Sequence, residues 1–195
     1  MYSEKGLCPH CGKKLPLKQR ISDIDSVSRN FICRTCLRTY SKEEAQLNYQ
    51  NEIDKLLSKA KEELLLKDDG QTSYKLFGNI VDIDNKIESA HYGRVLSLFF
   101  CSTLRKPMFS EVESLINSEK NEIYRKSLET SKYLSFLRIL NASIDKYLRR
   151  CTKLLRFNKN YFYDEECLKV YLQRVNGCLS LKNIILEEVA FLSKG

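Results

Sequence analysis

Two short cysteine pairs constrain this chain more than any other feature. Cys8 and Cys11 lie in LCPHCGKKL, Cys33 and Cys36 lie in FICRTCL, and 21 residues separate the pairs. Two thiolates on one tight turn can reach a single ion while backbone amides point at the sulfurs and spread their charge. Gly12 follows the first pair and can take the positive φ that such a turn wants. Pro9 stiffens the same turn. The doubled spacing reads as one tetrahedral site built from Cys8, Cys11, Cys33 and Cys36, with a single Zn2+ as the expected occupant. Iron is the other occupant to weigh, and four unliganded core thiols is the plainer alternative. A catalytic zinc keeps an open position for water, whereas four thiolates close the shell. The expected role is therefore structural. His10 sits inside the first knuckle and could replace a cysteine, although an exposed imidazole is the simpler reading.

The motif resembles the zinc-ribbon class. CPHCG is the first knuckle, FICRTC is the second, and Asn30-Phe-Ile-Cys33 reads as a strand entering it. The resemblance covers residues 1–40, about a fifth of the chain. It implies a rubredoxin-like β-hairpin module of the kind that serves as a binding element in transcription, replication or RNA machinery. The chain departs from the class at Leu37, where ribbons often carry glycine. It also departs in how soon a helix follows, which leaves a treble-clef-like variant open.

After residue 40 the periodicity turns helical. Ser41 and Glu44 form a capping box, so a helix is expected from about residue 42 to 67. Its apolar stripe is Leu47, Ile53, Leu56, Leu57, Ala60, Leu64 and Leu65. Residues 70–85 fit a docked loop, a strand or a helix turn equally well. Further helices are expected at about 85–104, 110–117 (opened by Ser110 with Glu113), 119–157, 164–175 and 180–192. Asp164 is the expected N-cap of the helix at 164–175, and Asn176-Gly177 its C-cap. In the long one, Leu137, Leu140, Ile144, Leu148, Cys151 and Leu155 make a bundle seam. The expected fold is thus mainly α: a four-cysteine zinc-ribbon hairpin module over residues 1–40, then an all-α bundle over 41–195 with one long helix.

Charge adds a hint about partners. Net charge is +8, but it is concentrated. Residues 1–40 hold eight Lys/Arg against three acids, and residues 132–159 hold eight against one. On a helix, Lys146, Arg149, Arg150 and Lys153 fall within about 100° of one another, with Arg156 just beyond. Only Asp145 is near enough in sequence to relieve them. Lys13, Lys14, Arg34 and Arg38, with Lys18 and Arg20, could form a second cationic surface on the knuckles. Such surfaces fit phosphates or an acidic protein, and a merely solvated helix face is the plain alternative. Tyr147, Phe157, Tyr161, Phe162 and Tyr163 could stack on unpaired bases, although core filling is the commoner use of such rings.

Enzymatic signals do not rise. There is no glycine-rich phosphate loop, no G-x-S-x-G and no H-E-x-x-H. Cys101, Cys151, Cys167 and Cys178 lack pair spacing, and His91 stands alone. Acidic pairs at Asp82/Asp84 and Glu165/Glu166 read as caps or dipole partners. No apolar run approaches the roughly 18 residues a bilayer span needs, and no export signal pattern opens the chain. The expectation is an intracellular protein, cytoplasmic or nuclear and not secreted, with no small-molecule substrate. Two functional readings follow. One is a non-enzymatic zinc-binding adaptor subunit in a nucleic-acid-handling assembly, with direct DNA or RNA contact through the basic surfaces. The other is a zinc-knuckle and bundle scaffold that binds other protein subunits only. Its helix order loosely resembles subunits of the GINS replication complex, in pattern and not in motif.

Overall fold

A computed structural model describes residues 6–15, 30–103, 106–125, 130–157 and 165–193. The chain is mainly helical, with a small antiparallel hairpin beside the cysteine cluster. It divides into two compact units, residues 1–59 and 60–195.

In the first unit, β1 (Phe31–Ile32) pairs antiparallel with β2 (Thr39–Tyr40), with Phe31 opposite Tyr40 and Ile32 opposite Thr39. The rings of Phe31 and Tyr40 lie 6.0 Å apart on one face. An isolated bridge joins Leu7 to Lys14. Helix α1 (Lys42–Leu65) starts where the capping box places it. The Glu44 amide donates to Ser41 Oγ at 3.1 Å, and Glu44 Oε2 accepts from the Ser41 amide at 2.7 Å. Its apolar stripe is narrower than expected. Ile53, Ala60 and Leu64 are buried, but Leu47 and Leu65 face solvent.

The second unit takes the end of α1 and five more helices. Residues 70–83, open between loop, strand and helix in the sequence, form α2 (Gly70–Ile83). Asp69 N-caps it by accepting from the Thr72 amide at 2.9 Å, and the Thr72 hydroxyl first and that amide second hold the carboxyl below its usual range. Gly70 therefore opens this helix. The left-handed residue in that turn is Asp68, at φ 55°. Helix α3 (Glu88–Phe100) is shorter than the expected 85–104, and its start is delayed because Asp84 accepts from the Lys86 amide at 3.0 Å and forms a turn first.

Helix α4 (Phe109–Arg125) runs straight through residues 117–119, where one helix was expected to end and a longer one to begin. Ser110 does not cap it. Ser110 lies in the first turn and bonds Glu111, while Met108 O accepts the first helical bond from Val112. Helix α5 (Thr130–Phe157) is the seam helix, about 42 Å long at 1.5 Å per residue. Helix α6 (Glu165–Leu192) replaces the two short helices expected at 164–175 and 180–192. Gly177 does not end it. A Cβ there would sit 3.3 Å from Phe109 Cδ2, so this glycine lets α6 approach α4. The expected cap Asp164 lies outside the described residues.

The core of this unit gathers Tyr92, Val95 and Phe99 of α3, Phe109, Val112 and Ile116 of α4, Leu137, Leu140 and Ile144 of α5, and Cys178, Leu181 and Ile185 of α6. The seam expected on α5 is therefore largely the buried one. Leu148 is half-buried, and the Leu155 side chain lies outside the described residues. No helix among the described residues is long and apolar enough to cross a membrane.

Candidate metal centre

Both knuckles are hairpin turns with the same backbone bonding. In the first, the Cys8 amide donates to Lys13 O at 2.9 Å and the Gly12 amide donates to Cys8 O at 2.9 Å. In the second, the Cys33 amide donates to Arg38 O at 2.9 Å and the Leu37 amide donates to Cys33 O at 2.7 Å. The fifth residue of each turn takes positive φ, 68° at Gly12 and 59° at Leu37. Leu37 thus adopts a glycine's conformation without being glycine. Left-handed backbone costs a β-carbon residue about 1–2 kcal/mol, and glycine gives back part of that through chain entropy. Leu37 is 77% exposed and loses little packing on truncation. Leu37→Gly should stabilise the metal-loaded protein by about 0.5–1 kcal/mol in denaturant melts. No gain would mean the second turn differs from the first.

The turns bring four sulfurs together. All four Sγ atoms lie within 4.8 Å of one another. Cys8 Sγ is 3.7 Å from Cys36 Sγ, and Cys11 Sγ is 3.7 Å from Cys33 Sγ. A disulfide would need about 2.05 Å. A metal held about 2.3 Å from each sulfur of a tetrahedron sets neighbouring sulfurs about 3.8 Å apart. The observed spacing fits that edge, so Cys8, Cys11, Cys33 and Cys36 could hold a metal ion. Cys8 and Cys33 are buried, Cys36 is half-buried and Cys11 faces solvent.

Electrostatics match the geometry. Burial pushes the Cys8 thiol up to about 12, against the amides of His10 and Cys11 that favour its thiolate. Burial acts in the same direction on Cys33, but the amides of Cys36 and Thr35 and the neighbouring thiols outweigh it and bring Cys33 down to about 6. Four anions cannot share this volume without a cation. Metal entry therefore releases protons, and acid releases metal.

Other groups clamp the site, and the cysteine spacing gave no sign of them. The Leu7 amide donates to Ala45 O at 3.2 Å, and Asn48 Nδ2 donates to Cys8 O at 3.2 Å. Both partners come from the start of α1, which itself contributes no sulfur. His10 is not an additional ligand. Its Nε2 donates to Thr39 O at 2.9 Å and ties the first knuckle to β2.

The basic residues are placed as follows. Lys13, Lys14, Arg34 and Arg38 are exposed on the knuckles. Lys146, Arg149, Arg150 and Lys153 are exposed along α5, and the Arg156 side chain lies outside the described residues, as do Lys18 and Arg20. Asp145, the one acid near the stripe in sequence, is bound by Lys182 Nζ of α6 at 2.6 Å. Tyr147 is turned to the core, where it stands edge-on to Phe109 at 5.3 Å and to Phe99 at 6.1 Å. Burial pushes its phenol up. Phe157, Tyr161, Phe162 and Tyr163 fall outside the described side chains. His91 is buried and donates through Nε2 to Asn85 O at 2.8 Å.

Fold and site together define a class: a double-knuckle, four-cysteine module followed by a helical bundle. No protein-family model matches the chain, and no curated protein or solved structure matches it either.

Proposed function

We propose that this chain is a non-enzymatic zinc-binding adaptor subunit of a nucleic-acid-handling assembly, contacting phosphates through its basic surfaces. The observation that carries the reading is the α5 stripe. Lys146, Arg149, Arg150 and Lys153 project into solvent, while the nearest acid in sequence is engaged by Lys182. Like charges left on one helix face repel mildly, and phosphates would relieve them. The zinc would shape the first unit and do no chemistry, since four thiolates close its shell. Lys13, Lys14, Arg34 and Arg38 would offer the module's own contacts.

Titration with duplex and single-stranded DNA and RNA across salt tests the reading. For the wild type on duplex DNA, the log–log slope should steepen by about 0.9 for each phosphate neutralised. Arg149→Glu/Arg150→Glu should weaken binding and flatten the slope. A flat wild-type slope, with unchanged weak affinity in the variant, would remove nucleic acid from the proposal.

One observation favours the protein-scaffold reading. An open cleft of about 810 Å³ has Leu64, Phe77, Tyr92, Leu96 and Phe136 among its lining residues, with Lys61, Lys86 and Lys132 there too. Its apolar side chains suit a protein segment better than a nucleic acid.

A further inference from the structure

Helix α6 is apolar on two faces, and the bundle uses one. Cys178, Leu181 and Ile185 point into the core. Roughly 100° around the helix, Leu172, Leu179 and Leu186 remain 48%, 40% and 44% exposed. They recur every seven residues, which on a helix keeps them within about 40° of one another over the length they span. Leu168 and Val175, both half-buried, fill two alternate positions of the same stripe, and the third is Lys182, which binds Asp145 of α5. This is the 3–4 spacing of a coiled-coil seam. An exposed seam of leucines on a chain with charge to spare elsewhere marks an interface.

We infer that this face binds the same face of a second copy of the chain, with the two α6 helices antiparallel and Leu179 on the twofold axis. Two features select that occupant. First, the three leucines are evenly spaced about Leu179. Antiparallel pairing sets Leu172 of each copy against Leu186 of the other, and Leu179 meets itself. Second, the charges complement one another in this arrangement. Lys169 and Glu187 are 18 residues apart, so five full turns place them in the same direction off the seam. Lys169 lies ten residues before Leu179 and Glu187 eight residues after it. An antiparallel partner therefore sets Glu187 about 3 Å from Lys169 along the axis and on the same side, twice by symmetry. A parallel pair would put these two groups on opposite sides. Between Lys169 and Glu187 the same flank carries only Asn176 and Asn183, so nothing there repels an identical helix.

The test uses the full metal-loaded chain. Light scattering at micromolar concentration should give twice the 22.8 kDa chain mass. Leu179→Glu places two carboxylates face to face on the axis and should weaken association at least about 100-fold. Should that variant lose helicity by circular dichroism, Leu172→Gln/Leu186→Gln removes the seam more gently and should also give monomer. Register is read by oxidative cross-linking in a Cys167→Ser background. Leu179→Cys should cross-link to itself. Leu172→Cys should not, because the two copies of that position would sit about 21 Å from one another along the axis. A wild-type monomer, or a dimer untouched by the seam variants, overturns the interface. Self-cross-linking at Leu172→Cys equal to that at Leu179→Cys overturns the antiparallel register.

Discussion

Removing the metal should unfold the knuckles and leave the bundle standing. One ion per chain is expected in the purified protein, and a strong chelator should erase amide dispersion for the Cys8–Lys14 and Cys33–Arg38 turns. The reason lies in what else holds those turns. The hairpin offers two residue pairs, and among the described residues its buried cluster is Cys8, Cys33, Tyr40 and Ala45. Burying so little apolar surface does not offset the entropy lost in ordering the two knuckles and the hairpin. Apparent binding energies for structural zinc run to about 10–16 kcal/mol in zinc-finger peptides, enough to close the difference. Cys33→Ser should release metal in the same way, since it removes a buried sulfur from the cluster of four. Cys167→Ser, exposed on α6, should retain full metal. Helical ellipticity should fall only by the share that α1 contributes. A metal-free protein that kept both turns in its amide spectrum would sink the site and the adaptor reading built on it.

Gly93→Ala should destabilise the bundle by adding a methyl where a buried ring already sits. A Cβ at residue 93 would lie 2.4 Å from Phe77 Cζ and 2.5 Å from two more ring atoms. Phe77 is 2% exposed and cannot swing into solvent without opening the α2–α3 interface. The same crossing has no slack at Gly70, whose Cβ would meet Ser97 O at 2.6 Å. Between the two glycines, Ser73 Oγ donates to Ala60 O at 2.8 Å, and Ser97 Oγ lies 2.9 Å from Ser73 Oγ. Small residues let the helix backbones approach, and the buried hydroxyls satisfy each other there. Overpacking of this kind costs about 1–3 kcal/mol, and here the upper end is expected. Phe77→Leu creates room at its own cost, so the double variant Gly93→Ala/Phe77→Leu should be more stable than the two single losses added together. Simple additivity in urea melts would show that the ring and the glycine do not oppose one another.

How much of this was legible beforehand follows from the range of the forces involved. The four sulfurs were readable because C-x-x-C spacing is a local geometric requirement, met within one turn of chain. The start of α1 was readable because Ser41 and Glu44 satisfy each other three residues apart. The seam of α5 was readable because Leu137, Leu140 and Ile144 repeat with the helix itself. Glycine carried no such information. At Gly12 it supplies a positive φ, but at Gly70, Gly93 and Gly177 it supplies absence of bulk, and only the partners Ser97, Phe77 and Phe109 reveal that use. Hence α2 stayed ambiguous and α6 was divided at a residue it passes straight through. Leu37 and Asp145 misled for a related reason. Leu37 takes φ 59° because its turn repeats the first knuckle's bonding, and Asp145 binds Lys182, 37 residues away. The chain's own pattern determined where the paired cysteines, helix starts and core faces lie, since each depends on neighbours within a turn or two. The bundle decided which helices run on, which glycines are packing surfaces and which acids are paired away from the basic stripe, since each depends on atoms that only folding brings near.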